Sequence, residues 1–181
     1  MKRTILTLIL AISAISLFAQ KKTTTSARIA LDASTSLDAL PKAENKTTIG
    51  VVDTKTGSVA FEATVKNFAF SNPMMQDHFN TERWLNSDTY PSFIFKGNIV
   101  DPASVNFTKD GSYKTEVEGI LTIKGKEQKI KVPGTIVVKG ESLSVSANFS
   151  IALADYAISG VQVDAGKVSK HPKITLNAEL K

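Results

Sequence analysis

Cysteine is absent from the 181 residues of this chain, and histidine occurs only at positions 78 and 171. The first absence excludes disulfides, thiolate metal sites, cysteine nucleophiles and a lipid anchor on an amino-terminal cysteine. Two histidines so far apart do not have the spacing of a zinc site. The sequence also lacks a Gly-x-Ser-x-Gly elbow, a glycine-rich phosphate loop and a dinucleotide-binding fingerprint. These absences disfavour an enzyme, and no metal or cofactor is expected.

A clustered excess of positive charge is missing as well. The formal net charge is +5, and the lysines and arginines are spread along the chain in short runs. A nucleic-acid partner is therefore not expected, because such partners are recognised by a basic patch or stripe.

Only the amino terminus carries a long apolar run, from Ile5 to Ala19, and Lys2 and Arg3 precede it. This pattern predicts a secretory signal peptide over residues 1–19, cleaved after Ala19, and therefore a periplasmic or secreted protein. The run is short and interrupted by serines, so an uncleaved membrane anchor is the weaker alternative, and no stable membrane insertion is expected after cleavage. Residues 20–26 are predicted to be a solvated linker, and residues 27–181 one domain.

From Ala27 onwards, apolar and polar residues alternate as they do in half-buried strands. Tight-turn signals separate the strands at 53–57, 109–111, 124–126 and 139–141. Residues 33–46 are predicted to be irregular, and the second strand is predicted over 47–52. We count about eight strands, which predicts an all-β fold: an antiparallel eight-stranded barrel or closed sandwich with one short helix.

The stretch from Asn67 to Gly97 differs from the rest of the chain. It holds five of the nine phenylalanines, both internal methionines and the single tryptophan. Asn72 as a cap and Pro73 in the first turn predict a short helix between two strands. A helix with aromatic and thioether side chains suits a plug or lid over a cavity. The apolar positions also change phase between Val65 and Phe68, which predicts a β-bulge.

A second interruption in the strand pattern occurs at Pro133 and Gly134. Proline cannot donate to a sheet ladder, and glycine weakens a strand interior. This pair therefore predicts a bend or bulge.

The inward positions predict the walls of an apolar site. An eight-stranded barrel is wide enough to be filled by its own side chains or to hold one slender ligand, and alternation alone does not separate these two cases. The predicted wall residues are Phe61, Val65, Phe68, Phe70, Met74, Met75, Phe79, Trp84, Phe93, Phe95, Leu121, Ile130, Val132 and Phe149.

Polar candidates are few. Asp77 and His78 on the short helix are the candidate contacts for a ligand's polar head group at a cavity mouth, where the imidazole can donate to a carbonyl or a phosphate. The alternative is a helix-end histidine bonded to local backbone. A hydrolytic or isomerising enzyme that uses Asp77, His78 and Glu82 is the weakest reading. His171 is expected to be exposed, and Asp88 is expected to organise a turn.

Five segments carry a family signature in order along the chain: FAF at 68–70, MMQDHFN at 74–80, WLNSDTYPSFIFKG at 84–97, VEGILTIKGK at 117–126 and the segment 151–158. Together they resemble the YceI-like family over nearly all of residues 27–181. The resemblance implies a lipocalin-like antiparallel barrel, exported to the periplasm, that holds a polyisoprenoid or similar lipid. The tryptophan and histidine usual in that family's first hairpins are missing here, which bears on the ligand's identity.

The predicted function is therefore that of an exported, non-enzymatic lipid-binding protein. It would hold a long apolar ligand, such as a prenylated quinone, inside the barrel for sequestration or transport. The alternative is a filled barrel that acts as an interaction or stress-protection module without a ligand. The expected partner is a hydrophobic small molecule or lipid, and a homodimer is left open.

Overall fold

Antiparallel strands form a single sheet in residues 20–181, the part of the chain that the computed structural model describes. The predicted signal peptide lies outside the described residues. The long strands are β1 (Lys21–Asp32), β2 (Lys42–Asp53), β3 (Ser58–Thr64), β5 (Ser92–Ile99), β6 (Gly111–Ile123), β7 (Lys126–Lys139), β8 (Ser142–Ser150) and β9 (Lys173–Leu180), and β4 (Ala69–Phe70) has two residues. The helical elements are α1 (Pro73–Asn80), α2 (Val161–Asp164) and 3-10 turns at Val65–Asn67, Pro102–Ser104 and Leu153–Tyr156.

The sheet closes on itself. Its strand order is β1-β9-β8-β7-β6-β5-β3-β2, and β1 pairs with β2 to complete the circle, while β4 adds to β2. The predicted eight-stranded antiparallel barrel is therefore confirmed. None of the helices in residues 20–181 has the length and apolar content needed to cross a bilayer.

The sequence predicts a linker over residues 20–26, and this prediction is wrong. Strand β1 begins at Lys21 and pairs with the last part of β2, from Lys21 opposite Asp53 to Thr24 opposite Gly50. Thr24 is buried in this pairing. The run of threonines favours a strand because β-branched side chains fit a pleated surface, and it is needed to cover an edge of β2 that would otherwise be open.

Two predictions near the start of β2 and the end of β3 were also wrong. Strand β2 begins at Lys42 rather than at residue 47, so the irregular segment is shorter than residues 33–46. The phase change after Val65 is a 3-10 turn over Val65–Asn67 and not a β-bulge. After this turn β4 pairs with the first half of β2, with Phe70 opposite Ala43.

Pro133 and Gly134 do not break β7, which pairs with β6 without a register shift from Lys126 to Val138. They mark the point where β7 leaves its other neighbour, because pairing with β8 begins only at Gly134. Proline has no N–H to donate, so it is tolerated where the ladder ends.

A buried amide holds the 3-10 turn in place. The Asn45 side chain is fully buried, and its Nδ2 donates to the carbonyl oxygen of Thr64 at 2.9 Å. Its Oδ1 accepts from the Thr47 backbone N–H at 2.8 Å and from the Thr48 hydroxyl at 3.2 Å. This network fixes β2 to the end of β3, where the chain turns to present Phe68 to the interior.

We expect Asn45→Ala to lower the free energy of unfolding by about 1–3 kcal/mol, because it leaves a buried carbonyl and hydroxyl without partners. Urea denaturation measures this loss. The matched control is Asn148→Ala. The exposed Oδ1 of Asn148 accepts from the Thr175 hydroxyl, and the loss of this hydrogen bond should change stability by less than about 0.5 kcal/mol. Equal effects of the two substitutions would contradict the role of the network.

Candidate functional site: an apolar cavity inside the barrel

The barrel interior contains a cavity of about 490 Å³. This volume lies within the range of roughly 300–1,000 Å³ that is common for small-molecule sites. On β6 its lining residues run from Thr115 to Ile123, a distance of about 26 Å along the strand at roughly 3.3 Å per residue. The cavity is therefore long as well as large enough for a ligand.

Small inward residues leave this space empty. Ala63 and Ala147 line the cavity with one methyl group each, and Gly134 lines it without a side chain. The inward rings of Phe93 and Phe149 are only partly buried, because they border the void rather than one another. The structure thus favours a hollow interior over one filled by its own side chains.

The cavity is closed at one end and open at the other. Val52, Val59 and Ile136 line its deep end, and each is at most 5% exposed. At the opposite end Met74, which is 67% exposed, lines the cavity together with the exposed residue Lys167. The mouth therefore lies beside α1.

Helix α1 is held against the mouth by aromatic contacts. Its Phe79 is buried, with ring centroids 5.9 Å from Phe68 and 4.9 Å from Phe70. The Phe70 backbone N–H also donates to Gln76 Oε1 at 3.1 Å. The predicted cap is confirmed, since Asn72 accepts from the Met74 backbone N–H. One side of α1 is thus fixed to the barrel, while Met74 stays exposed at the mouth.

The structure brings together twelve of the fourteen predicted wall residues around the cavity. Val65 and Ile130 are the exceptions. Val65 is fully buried in the core at the start of the 3-10 turn, and Ile130 packs against the same core cluster without reaching the cavity. Near Ile130, strand β7 is covered by the 3-10 turn Leu153–Tyr156. The Asp155 carbonyl in this turn accepts a hydrogen bond from the Gln128 side chain.

Of the two head-group candidates, His78 lines the mouth and Asp77 does not. Asp77 and Glu82 are exposed outside the cavity lining, so the structure does not gather them with His78 into the cavity. Within residues 20–181, no group of three His, Cys, Asp or Glu side chains is placed to hold a metal ion.

Of the two other polar residues that the sequence analysis names, one is exposed to solvent and the other forms an ion pair. His171 is exposed, as predicted. The Asp88 carboxylate pairs with Lys66 Nζ at 2.6 Å, which ties the loop after α1 to the 3-10 turn.

Sequence reasoning missed a further set of lining residues. Those on β1 alternate inward and were readable from the strand pattern, whereas those in the connection before β9 lie in short turns without a periodic signal. The missed residues include Ile29, Leu31, Ala33, Pro41, Leu153, Ile158, Gln162, Lys167 and Val168.

Charge is confined to the mouth. Among the described residues that line the cavity, only Asp38 and Lys167 carry a formal charge. Nearby in the core, Tyr156 is 1% exposed and its hydroxyl has no hydrogen-bond partner among the described residues. Burial, and secondarily the charge of Asp155, raises the pKa of Tyr156 to about 12. The deep walls of the cavity carry no formal charge and therefore favour uncharged ligand groups.

The sequence matches the family model of the YceI-like domain over residues 18–180. The expected family resemblance is thereby confirmed, and the described fold agrees with it. No curated protein matches the chain.

Solved structures share this fold. A polyisoprenoid binding domain from Saccharophagus degradans, implicated in plant cell wall breakdown, superposes with a TM-score of 0.75 at 12% identity, covering 90% of this chain and 98% of that one. BcnA from Burkholderia cenocepacia gives 0.72 at 21% identity, with coverages of 86% and 96%. A YceI protein from Campylobacter jejuni gives 0.53 at 17% identity, with coverages of 75% and 81%.

The buried Tyr156 hydroxyl generates a pH prediction. An unfolded-state tyrosine ionises near pH 10, whereas the folded one keeps its proton to about pH 12. Wild-type stability should therefore fall as the pH rises through this window, because the unfolded state loses its proton first. Tyr156→Phe should remove the loss of stability that Tyr156 causes as the pH rises through this window. Near pH 7 it should leave the free energy of unfolding unchanged or raise it by up to about 1 kcal/mol.

Urea denaturation across this pH window measures the effect. The control is Tyr113→Phe, which removes an outer hydroxyl that donates to the Lys109 carbonyl and leaves Tyr156 in place. It should keep the alkaline loss. An unchanged pH profile in Tyr156→Phe would show that this hydroxyl is not a buried neutral group.

Proposed function

The chain belongs to the YceI-like family, and from this membership and its long cavity we propose that it binds a polyisoprenoid or similar long apolar ligand inside the barrel. The observation that carries the proposal is the cavity itself: about 490 Å³, lined mainly by apolar side chains and open beside α1. The family's fold is that of a binding protein, and a binding role without catalysis is part of the proposal.

A polyprenyl chain fits these walls on physical grounds. It needs no hydrogen bonds along its length, and each methylene removed from water contributes roughly 0.8 kcal/mol. A few isoprene units can therefore offset an association cost of roughly 4–15 kcal/mol. The Saccharophagus domain named for polyisoprenoid binding has the same fold, which supports this ligand class.

The mouth offers donors for a polar end group. His78, Gln162, Asn72 and Lys167 all line it, while the deep walls are uncharged. A prenylated quinone would thus lie with its hydrocarbon in the barrel and its ring at α1, where the His78 imidazole can donate to a carbonyl. Asp77 has no part in this arrangement.

The cellular role we propose is sequestration or transport of this ligand across the periplasm. It is supported by the signal peptide that the sequence predicts over residues 1–19.

The most direct test fills the cavity. Ala147 lines it on β8, and Ala147→Phe would place a ring in the void. We expect at least about a tenfold loss of affinity for a short-chain prenylated quinone, which corresponds to losing roughly two buried methylenes. Quenching of Trp84 measures binding, because this single tryptophan lines the cavity.

The matched control for this substitution is Ala154→Phe, which adds the same ring at an exposed position outside the cavity lining. It should bind as wild type does. If wild type does not bind prenylated quinones, or if both variants bind equally, the proposed use of the cavity is wrong.

The head-group role of His78 is tested separately. His78→Ala should weaken binding of the prenylated quinone by about two- to tenfold, the value of one hydrogen bond of roughly 0.5–1.5 kcal/mol. It should leave binding of a prenyl hydrocarbon without oxygen unchanged, as measured by displacement of the quinone. Asp77→Ala is the control. An unchanged quinone affinity in His78→Ala removes this role.

A further inference from the structure

The most exposed large apolar side chains of residues 20–181 lie on the segments that surround the cavity mouth. They are Val161 at 79%, Leu37 at 71%, Met74 at 67% and Leu40 at 52% exposure. The remaining large apolar residues that are exposed lie elsewhere, each below 50%, namely Ile49, Val100, Ile120 and Val137. We call the first four residues the apolar rim.

Three segments carry the apolar rim and contact one another around the mouth. The β1–β2 connection meets the α2 segment, where the Ser169 backbone N–H donates to the Ala33 carbonyl at 2.8 Å. The same two segments approach at Gly166, where an added Cβ would lie 3.5 Å from Leu37 Cδ1. The α2 segment in turn meets the segment after α1, since a Cβ at Gly160 would lie 3.4 Å from the Trp84 ring.

The circle is completed between α1 and the β1–β2 connection. Strand β4, which leads into α1, pairs with Ala43 and Glu44 at the start of β2. Neighbours of the apolar rim also line the cavity itself, for example Asp38, Pro41 and Gln162. The exposed apolar side chains are therefore continuous with the cavity walls.

We propose that the apolar rim docks on the surface of a lipid bilayer and lets the ligand pass between bilayer and cavity without crossing water. This inference rests on the proposed function, because only a water-insoluble ligand needs such contact. Apolar side chains that insert at the interface stabilise a protein on a membrane in proportion to the apolar area they bury. An exposed apolar patch around a mouth is the kind of surface that marks such an interaction.

Other occupants fit the apolar rim less well. Four side chains on separate segments do not provide the roughly 800 Å² per partner of a stable protein interface. Gln20, the first described residue, lies at the opposite end of the barrel, where its carbonyl accepts from the Thr54 backbone N–H in the β2–β3 hairpin. A bilayer needs neither a large matching surface nor a particular segment of this chain.

Charge on these segments indicates which bilayer. The acidic residues are Asp38, Asp77, Glu82, Asp88, Asp155 and Asp164, and the basic ones are Arg83, Lys167 and Lys170. Two further lysines lie at the same end of the barrel: Lys66, which pairs with Asp88, and Lys124 in the β6–β7 hairpin. The charges at the mouth thus nearly balance, so they attract neither an anionic lipid nor a second copy strongly. Docking should therefore be apolar, occur on phosphatidylcholine, need no phosphatidylglycerol and resist added salt.

Vesicle flotation of the purified protein tests the proposal. Wild type should float with pure phosphatidylcholine vesicles, in low and high salt. Leu37→Ser with Val161→Ser should reduce the partition coefficient about tenfold or more, since it removes most of two exposed apolar side chains. Val100→Ser with Val137→Ser removes two exposed apolar side chains from strand β7 and the segment after β5, and should float as wild type does.

Three results would overturn the proposal: no flotation of wild type, equal flotation of the two double variants, or flotation that requires phosphatidylglycerol. A wild-type dimer in light scattering that becomes a monomer in the Leu37→Ser, Val161→Ser variant, without flotation, would assign the apolar rim to a second copy instead.

A second readout separates this proposal from the proposed function. Leu37 and Val161 do not line the cavity. The Leu37→Ser, Val161→Ser variant should therefore keep wild-type affinity for a prenylated quinone in solution, measured by Trp84 quenching. Its transfer of the quinone to vesicles should slow about tenfold. Flotation without quinone binding would defeat the proposed function alone, and binding with unaltered transfer would defeat the docking.

Discussion

The pairing of β1 with β2 is the contact on which the site depends, because it converts an open sheet into a closed barrel. The first residues of β1, Lys21–Thr24, take part in it and cover the last part of β2. Closure removes the sheet edges and gives every inward side chain a place away from bulk water. A barrel of eight strands is then so narrow that a few inward residues decide whether it is filled or hollow.

The stretch around α1 links that interior to its surroundings. Phe68, Phe70 and Phe79 hold the helix on the barrel, and Met74 and His78 on the same helix face the mouth. The aromatic packing holds α1 beside the mouth. An entrance that is already formed lowers the ordering cost of binding.

Much of the fold could be predicted from the sequence, because alternation fixes which side chains face inward. Phe93, Leu121 and Phe149 were placed correctly for this reason. The threonine-rich start of β1 was misread, since polar residues can line a closing strand as well as a linker. The hollow interior was not predictable: Gly134 and Ala147 leave space only in combination with the neighbours that closure brings opposite them.

We expect the closed barrel to stay hollow and to receive a long apolar chain. Native mass spectrometry of the protein, purified without detergent and incubated with a polyprenyl alcohol, tests this most directly. We expect one added mass per barrel, retained in the gas phase and released by organic extraction. A protein that carries no added mass at any concentration of the alcohol would contradict it.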